Sequence, residues 1–187
     1  MPKILVFAGA NGSGKTTLAN SVVESNMKFI NADKIKDRDN LSYIEASKKA
    51  ITLIDGCISK GASFSFETTM SGLTLQNKFE QLKQKKYHIA VFYLFVHPVE
   101  LLIERIKERV KKGGHFVDDK DVVRRYYRST VNFWNIYRYY ADEWIIINNN
   151  EFQYKNITIG AQDNFTVIDK IEFEKFKKVV VYAKTYK

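Results

Sequence analysis

The chain has 187 residues, 45% of them hydrophobic and 27% charged, with a net charge of +9. That size and balance fit one globular domain over residues 1–187 and exclude a disordered or fibrous chain. A single cysteine, Cys57, excludes an intrachain disulfide and fits a reducing compartment, and no apolar run reaches transmembrane length.

The opening Met1-Pro2-Lys3 leads into the apolar run Ile4–Ala8, which is too short for a signal-peptide core. We therefore expect a cytoplasmic protein with no membrane partner. The lysines are scattered, with no basic tail and no RNA-binding signature. The charge reads as a solvated basic surface, which argues against a nucleic-acid partner.

In chain order, Lys3–Ala8 reads as a buried strand and Lys15–Ser25 as a helix. Lys28–Asn31 is a short strand, Leu41–Lys60 a helix stopped by Gly61, and Ala62–Phe66 a strand. Gly72–Lys86 is helical, and Tyr87–Val96 is the longest apolar run, a central strand. Pro98–Lys112 is a helix with proline near its start, where a missing N–H does no harm. Asp118–Tyr140 is another helix and Trp144–Asn148 a further strand. Strands alternating with helices predict an α/β fold, a mainly parallel sheet covered on both faces. In residues 151–187, Phe152, Tyr154, Ile157 and Ile159 suggest edge strand, and Ile171–Tyr182 a last helix.

The first strand runs into Gly9-Ala10-Asn11-Gly12-Ser13-Gly14-Lys15-Thr16, which fits the Walker A spacing. The glycines let successive N–H groups turn inward on phosphate oxygens. The helix beginning at Lys15 aims its positive end at the same point. Lys15 would reach the outer phosphates and the Thr16 hydroxyl a Mg²⁺ ion. This strand–loop–helix predicts binding of ATP, or GTP, with Mg²⁺.

Ligands of parallel α/β sheets sit beyond the carboxyl ends of strands. Asp33 closes Phe29-Ile30-Asn31-Ala32-Asp33, and Glu67 follows Phe64-Ser65-Phe66. A carboxylate beside bound phosphate can accept the proton of an attacking hydroxyl or hold a cation through water. Either residue could instead be a cap or turn residue.

Two basic helices flank Gly113-Gly114. Arg105 and Arg109 are four residues apart and share a face, as do Arg124 and Arg128. A lid over about residues 105–128 could bring arginines over a triphosphate and exclude water. The stripe Tyr126, Tyr127, Thr130, Phe133, Trp134, Tyr137, Tyr140 recurs at helical spacing and reads as core.

Together these pieces resemble the zeta toxin family of P-loop kinases, especially its compact members. The matching segments are Ala8 through Thr17, Asn31-Ala32-Asp33 and Phe64 through Gly72. Further matches are Arg109-Val110, Gly113 through Val117, and Arg124 through Ser129 with Asn132. The resemblance spans about residues 4–148. It implies a three-layer α/β/α kinase fold and phosphoryl transfer from ATP to a sugar hydroxyl. In characterised members the acceptor is UDP-N-acetylglucosamine, phosphorylated on the sugar 3′-hydroxyl. It assigns Asp33 as general base, Glu67 with Thr68 to the acceptor, and Arg109, Arg124 and Arg125 to the phosphates. The nucleotide-binding set is Gly9, Ala10, Asn11, Gly12, Ser13, Gly14, Lys15, Thr16 and Thr17. It also implies a small antitoxin partner. The chain departs from the long toxins in lacking room for extra C-terminal helices. It also carries Asn148-Asn149-Asn150 where an acidic-Asn-Ser ending is expected. Two other readings remain open on the residues alone. One is a different small-metabolite or nucleotide kinase, and the other a non-catalytic, nucleotide-dependent binding module for nucleic acid or an acidic partner, which the +9 charge and the aromatic stripe would serve.

Overall fold

A computed structural model describes residues 1–185. Five strands lie parallel: β1 (Lys3–Ala8), β2 (Lys28–Ile30), β3 (Phe64–Thr68), β4 (His88–Phe95) and β5 (Glu143–Asn148). An antiparallel hairpin, β6 (Lys155–Ala161) and β7 (Asn164–Val167), extends the sheet. The order is β2-β3-β1-β4-β5-β6-β7. The helices are α1 (Lys15–Val22), α2 (Ala32–Asp39), α3 (Tyr43–Ser59), α4 (Gln76–Gln84), α5 (Glu100–Lys111), α6 (Asp119–Asn135) and α7 (Lys170–Thr185). Residues 186–187 of the expected C-terminal segment lie outside the described residues.

The chain steps from β1 to one side, through β2 and β3, and then crosses to β4 on the other. β1 is therefore the switch point, where a crevice opens beyond the strand ends. Its alternating side chains serve both faces. Ile4, Val6 and Ala8 join the main core with Phe64, Val91 and Tyr93. Phe7 lies on the opposite face with Leu18 and Ala19 of α1, and its ring stacks on Phe92 at 5.2 Å. The aromatic stripe of α6 is core: Tyr126, Phe133, Trp134 and Tyr137 are buried, and Phe133 stacks on Tyr93 at 4.3 Å.

The structure corrects several boundaries. β2 stops at Ile30, because the Asn31 side chain accepts the Lys34 amide at 3.0 Å and caps α2, a helix not expected there. Asp33 therefore sits in the first turn of α2, where the helix dipole favours a carboxylate. Glu67 lies inside β3 rather than after it. α6 ends at Asn135, five residues early, and a short 3-10 turn follows over Tyr137–Tyr139. There the buried Arg138 donates to Trp134 O and to Gln162 O in the β6–β7 turn. Among the described residues, no helix is long and apolar enough to cross a membrane.

Candidate active site

The loop between β1 and α1 is built around an uncapped helix. Gly14 stands at the N-cap of α1 with φ 96°, and no side chain bonds the first amides. No acid occupies that first turn either. α2, α3 and α6 each have a side-chain cap, whereas α4 and α5, like α1, have none. Unfilled amides at a helix start form an anion site. Gly9, at φ 135°, also lies in backbone space that L side chains rarely adopt.

Lys15 is buried, and its Nζ donates to Ala10 O at 2.9 Å across the loop. Burial pulls its ammonium below the ordinary value of 10.5. The Glu67 and Asp33 carboxylates act against that shift, while Arg109 and Arg125 add to it. Four expected site residues from α2, β3, α5 and α6 thus converge electrostatically on one lysine. The Thr16 hydroxyl donates to Glu67 Oε2 at 2.8 Å. Register explains the meeting: Phe7 is opposite Glu67 and Ala8 opposite Thr68 on the paired strands.

The remaining expected residues divide. Arg125 Nη1 donates to Asn11 Oδ1 at 3.1 Å. Arg124 instead turns to Asp121 at 2.7 Å and is exposed, away from the loop. Arg109 Nη2 donates to His115 O at 2.7 Å, and its buried Nε has no partner among the described residues. Thr68 Oγ1 accepts the Met70 amide at 3.0 Å. Thr17 is exposed, beside the Tyr154 hydroxyl. The Gly113-Gly114 joint is docked: His115 Nε2 meets Asp37 Oδ2 of α2 at 2.8 Å.

The loop also has a clasp that the sequence reading missed. Asn149 Nδ2 donates to Ser13 O at 2.9 Å, from a side chain 2% exposed. Its Oδ1 and Ser13 Oγ are buried without partners among the described residues. Arg105 donates through Nη2 to Asn149 O at 2.6 Å and Asn150 O at 2.8 Å. Its guanidinium lies 4.1 Å from the centre of the Phe152 ring. The available signal was the polar run Asn148-Asn149-Asn150 at the carboxyl end of a strand, which stood out only as a departure from the expected ending. Beside this clasp a groove of 540 Å³ runs along α5, lined by Leu101, Arg105, Arg109, Gly114, Asn150 and Phe152.

The donor set at Thr16 and Glu67 is all oxygen, which suits Mg²⁺. Among the described residues no cluster of three or more His, Cys, Asp or Glu side chains could hold a metal by itself.

The parallel sheet, the switch-point loop and the uncapped helix define a P-loop kinase. The chain belongs to the zeta toxin family, whose model it matches over residues 1–159. An uncharacterized protein of Haemophilus influenzae is 33% identical over 129 residues, 66% of this chain and 92% of that relative. The AvrRxo1-ORF1:-ORF2 structure with ATP aligns at 15% identity with TM-score 0.75, covering 94% of this chain and 63% of that one. This chain thus spans a little under two thirds of that AvrRxo1 chain. The PezAT chromosomal toxin-antitoxin system of Streptococcus pneumoniae aligns at 15% identity with TM-score 0.62, covering 98% and 84%. At such identities these two likenesses establish fold alone.

Proposed function

We propose that this chain transfers the γ-phosphoryl group of ATP, or GTP, to a hydroxyl of a small acceptor. UDP-N-acetylglucosamine or a related nucleotide sugar is the first candidate. One arrangement carries the reading: a phosphate loop with a buried lysine, whose Thr16 bonds Glu67 of β3 and whose Asn11 bonds Arg125 of α6, with Asp33 and Arg109 near enough to act on that lysine. A loop that only bound Mg-nucleotide would use Glu67 at most, through the metal, and would not need Asp33.

The chain's own groups divide the work. The amides at the start of α1 and Lys15 grip the β- and γ-phosphates. Lys15 exchanges its bond to Ala10 O for phosphate oxygen. The groove along α5 lies beside the loop and takes the nucleoside, with Arg105 and Phe152 as its flat walls. The Thr16 hydroxyl and Glu67 would hold Mg²⁺, which when bound neutralises charge on the outer phosphates. Asp33 accepts the proton of the acceptor hydroxyl as its oxygen bonds the γ-phosphorus. The bond from that phosphorus to the β–γ bridging oxygen breaks, and the nucleoside diphosphate leaves. Arg109 and Arg125 stabilise the equatorial oxygens during transfer. Arg124 stands by at the lid face. Thr68 and Glu67 line the acceptor side.

A small antitoxin is the proposed protein partner, supported by family membership and by the toxin-antitoxin system named for the pneumococcal structure. The test of the function is incubation with Mg-ATP and a nucleotide-sugar panel, read by mass spectrometry. One acceptor gaining a phosphoryl group supports it. No transfer to any hydroxyl acceptor, with ATP bound, contradicts it.

A further inference from the structure

The chain that leaves α5 folds back on Arg109. Gly113, at φ 81°, takes the left-handed turn; its amide donates to Val110 O and the Gly114 amide to Arg109 O, each at 2.9 Å. A Cβ on Gly114 would stand 2.5 Å from Arg109 Cγ, so the glycine lets the loop lie directly on the arginine's stem. The next residue, His115, carries the carbonyl that accepts from Arg109 Nη2 at 2.7 Å. Among the described residues that carbonyl is the one hydrogen-bond partner of the guanidinium, and the buried Nε has none.

The His115 ring reaches a second element. Its Nε2 meets Asp37 Oδ2 of α2 at 2.8 Å. A carboxylate only accepts, so Nε2 carries the hydrogen. Tyr43, the first residue of α3, meets the same imidazole edge-on, with ring centres 6.1 Å apart. Asp37 lies four residues after Asp33, one turn along the same face of α2. One residue therefore ties two parts of the site. Its backbone holds Arg109, and its ring holds the helix that carries Asp33. Asp33 and Arg109 both act on Lys15, with opposite signs. The contact is too open to serve stability: the His115 side chain is 26% exposed and that of Asp37 56%. Exposed pairs of this kind contribute little to folding.

We propose that His115 is a positioning residue. Its contact with Asp37 is a latch that fixes Arg109 relative to Asp33, so that charge stabilisation and proton removal act on one phosphoryl group together. The proposal rests on the kinase reading above and adds the element that aligns its two groups.

The test compares wild type with Asp37→Ala, His115→Ala and the double variant in two measurements. The first is solvent exchange of the Arg109 Nε–H, followed by NMR on nitrogen-labelled protein and assigned with Arg109→Lys. It needs no acceptor. Each single variant should speed that exchange by roughly tenfold or more, as a held loop opens locally. The second is single-turnover transfer from saturating Mg-ATP to UDP-N-acetylglucosamine, with release of free phosphate to water recorded beside it. Each single variant should slow transfer by roughly tenfold to a hundredfold, the scale of a small misplacement in a site. The double variant should lose no more, because the two side chains act as one unit. Asp37→Asn keeps an acceptor and should recover part of the loss. ATP affinity and melting temperature should stay near wild type, which a merely structural role would not allow. Unchanged exchange in both single variants overturns the proposal whatever the activity. So does transfer at the wild-type rate, or a loss explained by a lower melting temperature or weaker ATP binding. Wild type that passes phosphate to neither the nucleotide sugar nor water is a separate result. It counts against the kinase reading, and the exchange measurement still decides the latch.

Discussion

The Thr16 hydroxyl donates a 2.8 Å hydrogen bond to Glu67 Oε2 across 51 positions of sequence. This bond ties the phosphate loop to β3, and it follows from the parallel pairing of β1 with β3. In the proposed Mg²⁺ site both oxygens turn from each other to the cation once phosphates are present. Thr16→Val should therefore erase most of the magnesium dependence of ATP binding. ATP titrations in Mg²⁺ and in chelator should differ by about tenfold or more for wild type and by little for the variant. A variant that keeps the wild-type difference would remove Thr16 from the metal site.

Asp33 occupies the first turn of α2, a position held by the Asn31 cap. Asp33→Asn keeps shape and polarity while losing the proposed base. Phosphoryl transfer should fall by about 10²–10⁴-fold, the usual worth of general base catalysis. ATP affinity should change less than threefold, roughly the scale of a lost distant charge. Single-turnover kinetics beside equilibrium binding separates the two effects. Full-rate transfer by the variant would end the assignment.

The lowered Lys15 value sets a pH dependence. Its cause is burial, so without nucleotide the ammonium gives up its proton below the ordinary 10.5. Bound phosphates favour the charged form and raise the value again. ATP affinity should thus weaken as pH rises through the lowered value, and binding in that window should take up protons. Stability has the opposite slope: the unfolded chain holds this proton more tightly, so Lys15's contribution to stability improves from the lowered value towards 10.5. Calorimetry in two buffers of different ionisation heat measures the uptake. Proton release, or none, would contradict the argument.

Asn149 is the clasp on the phosphate loop. Asn149→Ala leaves Ser13 O without its donor at a buried position, which costs about 1–3 kcal/mol. The melting temperature should drop by several degrees, at roughly 2–4 °C per kcal/mol for a chain this size. ATP affinity should fall as well, because the loop is less well held. An unchanged melt with unchanged affinity would show the clasp to be dispensable.

What the sequence made legible was local. The phosphate loop could be read because glycines, lysine and threonine lie within eight consecutive positions, between an apolar strand and a helix. Asp33 and Glu67 were visible as acids near strand ends. The element around Asp33 was misread because one asparagine cap outweighed the short apolar run before it. The clasp was hidden because Asn149 meets Ser13 across 136 residues and Arg105 meets Asn149 across 44. No periodicity encodes such pairings. The two arginines at 124 and 125 looked equivalent in sequence, and only helix rotation sends Arg125 to Asn11 and Arg124 to Asp121. The β6–β7 hairpin was legible only in part. β7 is mostly exposed, and its turn at Gln162 lacks the glycine pairs that mark tight hairpins.

The central claim is that the uncapped start of α1, with Lys15 and Thr16, holds a nucleoside triphosphate tail. Titration of purified protein with ATP, with and without Mg²⁺, beside Lys15→Met, tests it most directly. Saturable binding that magnesium strengthens and Lys15→Met weakens by roughly tenfold or more is the expected result. Wild-type protein with no magnesium-dependent affinity for ATP or GTP would contradict the account.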